Sequence, residues 1–117
     1  MNKNICPEVS NDKQTKRLRE LLHCQSNYFT RPEILELILR LPYDISFKGE
    51  RGYLLFGPLG IEYTSICSAF KLRNVFNASS VPNKDLYDCF IETLEFFINN
   101  KEHIEIIEKP DNCIIKY

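Results

Sequence analysis

The stretch from Asn83 to Asn100, NKDLYDCFIETLEFFINN, constrains the fold more than any other part of the chain. At 3.6 residues per turn, Leu86, Tyr87, Phe90, Ile91, Leu94, Phe97 and Ile98 share one broad face. Asp85, Asp88, Glu92 and Glu95 recur at helical spacing on the opposite side. The pattern predicts a long amphipathic helix over about 83–100, with Asn83 as N-cap. Asp85 and Asp88 then fall in its opening turns, where the helix dipole favours negative charge. Phe96 breaks the partition, because the projection sets it in the acidic stripe beside Glu92 and next to Cys89.

Such a helix needs other layers to bury its apolar face, and the rest of the chain offers them. Residues 1–11 are polar, contain Pro7 and read as a flexible lead-in. Residues 12–117 read as a single domain, large enough to bury roughly two-thirds of its unfolded surface without a staple. DKQTKRLRELLHCQ predicts a helix from about Asp12 to Gln25. Leu18, Leu21 and Leu22 form its apolar stripe, and Lys13, Lys16 and Arg17 its basic one. Thr30-Arg31-Pro32-Glu33 is a capping box with proline in the first turn; it opens a second helix through ILELILRL, which Pro42 stops. The short linker between them suggests an αα-hairpin packed by Leu18, Leu22, Ile34 and Ile38. A DNA-reading helix-turn-helix would have to place ILELILRL in the major groove, where it offers almost no donors for base edges.

The middle and the end of the chain read as β-structure. ISF, KGERG, YLLF, GPLG and IEYTSIC alternate strands with turns in a three-stranded meander, and the four glycines of the protein all fall in the two turns. Neither turn matches a phosphate-binding glycine pattern. SICSAFKLRNVFNASS admits a short helix, through Ile66, Ala69, Phe70 and Phe76, or a continued strand around Val75. HIEIIE, the turn KPDN and CIIKY then read as a closing hairpin, with Ile104 and Ile106 facing one way and Glu105 and Ile107 the other. The expected fold is therefore α+β: two N-terminal helices, a small mostly antiparallel sheet (meander plus C-terminal hairpin), and one long amphipathic helix.

Chemistry-bearing motifs do not emerge. The five cysteines are odd in number and form no CxxC, which suits a reducing, cytoplasmic compartment better than a disulfide framework. No apolar run reaches the length of a membrane span, and the opening residues lack a signal-peptide core. His23 and Cys24 are adjacent, and His103 has no cysteine or histidine at ligand spacing, so no metal or cofactor is expected. The helix carboxylates lie on an open face without an apolar pocket to shift one of them, which argues against an enzyme.

What stands out is charge. Within 84–111 there are three lysines against eight acids. The strip from Asp85 to Glu95 would run about 15 Å along the helix axis, and Glu105, Glu108 and Asp111 extend it if the hairpin packs alongside. The plain explanation is a solvated face that keeps the protein soluble. The functional one is a docking surface for a basic protein: Asp85, Asp88, Glu92 and Glu95 would steer it and Phe96 would anchor it. Nucleic acid is disfavoured because phosphate and carboxylate repel. In size, α+β make-up, cysteine content and acidic block, the chain resembles immunity proteins that plug the basic clefts of toxin nucleases, although no motif matches a specific family of them. A structural subunit of a larger assembly and an enzyme of unrecognised type are the other expectations. No pattern specifies an oligomeric state.

Overall fold

Side-chain caps decide where the helices begin. In α1 (Asp12–Leu22), the Asn11 side chain accepts from the Gln14 backbone at 2.8 Å, and the Gln14 side chain accepts from the Asn11 backbone at 3.0 Å. In α2 (Arg31–Ile38), Thr30 and Glu33 form the expected capping box, with Pro32 in the first turn. This helix ends before Pro42 because Leu39, Arg40 and Leu41 donate three residues back, to Glu36, Leu37 and Ile38, and tighten the last turn. The long helix α3 (Leu86–Asn99) is capped by Asp85, whose carboxylate accepts from the Asp88 backbone at 3.0 Å. The cap is thus Asp85 and not Asn83, which lies outside the described residues.

The computed structural model describes residues 8–57, 60–65, 74–79 and 85–116; for 50, 53–57, 60–65 and 74–79 it describes the backbone alone. Five strands form one sheet: β1 (Asp44–Phe47), β2 (Glu50–Gly57), β3 (Gly60–Ser65), β4 (Asn74–Ser79) and β5 (Ile104–Glu108). Their order is β4-β3-β2-β1-β5, and every pairing is antiparallel. The predicted turn KGERG contracts to Lys48 and Gly49, at φ 51° and 84°, which is the two-residue turn that needs positive φ at both centres. Glu50 therefore sits opposite Phe47, and Gly52 becomes a buried strand residue opposite Ile45. Gly57 and Gly60 pair with each other at the adjoining ends of β2 and β3. Val75 and Phe76, ambiguous in the sequence, belong to β4, while Ile66, Ala69 and Phe70 lie outside the described residues.

After β5 the chain reverses, with Cys113 N donating to Pro110 O at 3.1 Å, as a hairpin would. Its returning arm leaves the sheet, however. Ile114 N donates instead to Arg40 O at 2.9 Å, tying Cys113–Lys116 to the end of α2. β5 pairs with β1, so the C-terminal strand closes one border of the meander.

The core sits between α3 and its neighbours. Tyr87, Phe90 and Phe97 are fully buried with Leu18, Ile34 and Ile45. Both N-terminal helices pack chiefly on α3 and only weakly on each other, so Leu18, Ile34 and Ile38 meet the core through α3. Leu22 is half-buried at its border. The buried arc of α3 takes in Cys89, Thr93 and Phe96, while Ile98 at the opposite flank is half exposed. Thr93 is tolerated inside because its hydroxyl donates to Cys89 O at 2.8 Å. Residues 8–11 of the expected flexible lead-in are held: Val9 bridges to Thr30, and the buried Ser10 exchanges bonds of 2.8 and 2.9 Å with Phe29. Among the described residues no helix is long and apolar enough to cross a membrane.

Candidate functional site

The acidic stripe of α3 exists, but most of it is occupied within the molecule. Gln14 Nε2 donates to both oxygens of Asp85, at 3.0 and 3.1 Å, and to Asp88 Oδ1 at 3.1 Å. Arg17 Nε and Nη2 donate to Glu95 Oε2 at 2.8 and 2.7 Å. The hydrogen bond to Glu95 raises the Arg17 pKa above its ordinary value, against the opposing effect of burial. Glu92 is half-buried. The basic stripe of α1 and the acidic stripe of α3, read separately in the sequence, therefore partly satisfy each other.

Phe96 is a correction. It is 8% exposed, with its ring centroid 5.4 Å from that of Phe47 and 5.6 Å from that of Phe97. The single-face projection fails because α3 is covered on more than one side: the sheet takes the Cys89–Thr93–Phe96 flank, and α1 approaches the flank of Asp88 and Glu95. The apolar anchor expected among exposed carboxylates is a core residue. Gln14 is the residue that sequence reasoning missed. Asn11-x-x-Gln14 is itself a capping-box pattern immediately before a basic amphipathic run, and that was the available signal.

The acids that remain open lie beyond the helix. Glu102, Glu105, Glu108 and Asp111 are all exposed, and among the described residues none of them is ion-paired. Two lysines, Lys101 and Lys109, share the segment 101–111 with them. Ile107 lies between Glu105 and Glu108 and is 39% exposed, whereas Ile104 is buried and Ile106 half-buried, as the strand alternation predicts. On the neighbouring β1 the charge is already matched: Arg51 donates to Asp44 at 2.7 and 3.2 Å and holds the Asp44 carboxyl below its usual range, and Glu108 also contributes to the field that raises the Arg51 pKa.

A groove of about 860 Å³ opens between α2, the second half of α3 and the C-terminal segment. Leu37, Leu94, Ile98 and Ile114 contribute its apolar surface, and Glu33, Glu36, Asp111, Arg40 and Lys116 its mixed-charge rim. Among the described residues no three His, Cys, Asp or Glu side chains converge as metal ligands would. Cys24, Cys89 and Cys113 form no disulfide, and Cys6 and Cys67 lie outside the described residues. No protein-family model matches the chain, and no match is found to a curated protein or a solved structure.

Proposed function

We propose that this chain is a non-catalytic protein-binding domain that takes a basic protein partner, in the manner of a small toxin-neutralising immunity protein of the cytoplasm. One observation carries the reading: two exposed carboxylates flank an exposed isoleucine on β5, Glu105 without an ion-pair partner among the described residues and Glu108 in the field of Arg51 without a direct ion pair. Exposed carboxylates that hold no direct ion pair remain able to steer a cationic surface, and an apolar side chain among them supplies contact area that excludes water. The docking role expected of Asp85, Asp88 and Glu95 passes to Glu105 and Glu108, because the former already hold α1 in place.

The test is affinity capture from the native host with the wild type and with the Glu105→Lys/Glu108→Lys variant, followed by measured affinities for the partner identified. A basic partner should bind less tightly as salt rises, and charge reversal should weaken binding by about tenfold or more. Equal affinity for wild type and variant would overturn the reading. A second reading, a structural subunit of a larger assembly, is favoured by the exposed Leu35, Leu39 and Tyr43 that follow one another along and after α2. In that case Leu39→Glu, and not the β5 variant, should release the partner.

A further inference from the structure

Resting on that reading, we infer that β5 is an open sheet edge that accepts an extended, lysine- or arginine-bearing segment of the partner as an added strand. β5 ends the strand order, and its other side belongs to β1. Lys48 N donates to His103 O, so His103 points inward; the register then shifts where Ile106 pairs with Ile45 and Glu108 with Asp44, leaving Ile107 unmatched, and beyond the shift Glu108 O again points inward to Tyr43 N. In an antiparallel ladder the alternate residues, here Ile104 and Ile106, then turn their N–H and C=O groups to the outer edge. No described residue pairs with those groups. Over Ile104–Ile106, ahead of the register shift, they are spaced for a strand, not for a helix.

Charge selects the occupant. The strand is Ile-Glu-Ile-Ile-Glu, with two exposed carboxylates and no cation. A second copy of the chain laid antiparallel on β5 would bring four glutamates into one short ribbon, and like charges across strands destabilise it. A cationic segment gains where a second copy loses. Alternation sets the rest of its chemistry. Residues beside Glu105, and beside Glu108 beyond the register shift at Ile107, should be basic, and those on the side of Ile104 and Ile106 apolar, because that side continues the core. The competing use of the glutamates, and of the register shift at Ile107, is purely protective, to discourage any added strand.

The full chain is titrated with an acetylated, amidated eight-residue peptide alternating lysine and valine, while amide exchange is followed residue by residue. The expected result is that the Ile106 amide slows by about tenfold or more at saturation, that affinity falls as salt rises, and that Glu105→Lys/Glu108→Lys weakens the peptide by about tenfold. Glu105→Gln/Glu108→Gln, which removes charge without repulsion, should fall between the two. Peptide binding that leaves Ile106 exchange unchanged overturns strand addition. No binding at all leaves the glutamates purely protective and overturns it too. If, in either case, the captured partner still depends on Glu105 and Glu108, the basic-partner reading stands and only the edge pairing fails.

Discussion

Two acid-rich regions of this molecule look alike in sequence and are used in opposite ways. On α3, Asp85, Asp88 and Glu95 are spent on Gln14 and Arg17, and the phenylalanine among them is in the core. On β5, Glu105 and Glu108 are exposed, and the isoleucine between them is open to solvent. The difference comes from layering. α3 lies between the sheet and two helices, so little of its circumference is free, whereas β5 borders the sheet. Acidic composition alone therefore says little about where a partner would dock; the number of covered sides decides.

The contrast can be broken by substitution. Phe96→Ala should cost about 3–5 kcal/mol of stability, as expected for emptying a buried aromatic site. Denaturant unfolding measures it, and a loss below a fraction of that would return Phe96 to the surface. Asp85→Ala removes the α3 cap and two bonds from Gln14, so about 1–2 kcal/mol should go; a neutral result would mean that the α3 start is held by something else. The Arg17–Glu95 pair is partly exposed, with side chains 43% and 35% accessible, so solvent screens it. A double-mutant cycle to alanine should return a coupling under about 1 kcal/mol, shrinking further in high salt. Glu105→Gln should move stability by no more than about 0.5 kcal/mol. If instead it destabilises as much as Asp85→Ala, the two regions are not different in kind.

Elements with their own local signal were legible in the sequence. Thr30 and Glu33 marked the start of α2, the 3.6-residue period marked α3, and the alternation in 104–107 assigned the inward and outward residues of β5 correctly. What depends on distant chain was not legible. A helical projection orders side chains around an axis but does not say how many neighbours surround it, and so Phe96 was set outside. KGERG contains two glycines, and only the sheet register shows that Gly49 makes the turn while Gly52 pairs with Ile45. The closing strand was recognisable by its pattern, but its neighbour was not, since pairing with β1 and not with CIIKY is a long-range choice. The acidic surface was half legible: the sequence pointed to both acid groups but not to which one α1 would consume.

Gln14 carries a consequence for the order of folding. Its amide reaches residues 71 and 74 positions away, and Arg17 reaches one 78 away. Contacts across so long a loop are rewarded only after the chain between has been gathered, whereas β1 and β2 close over two residues. The hairpin should be an early structure and the seam between α1 and α3 a late one. Substitutions at Gln14 should then speed unfolding and leave the refolding rate nearly unchanged, while changes at the Lys48–Gly49 turn should slow refolding, a pattern that stopped-flow kinetics would read directly.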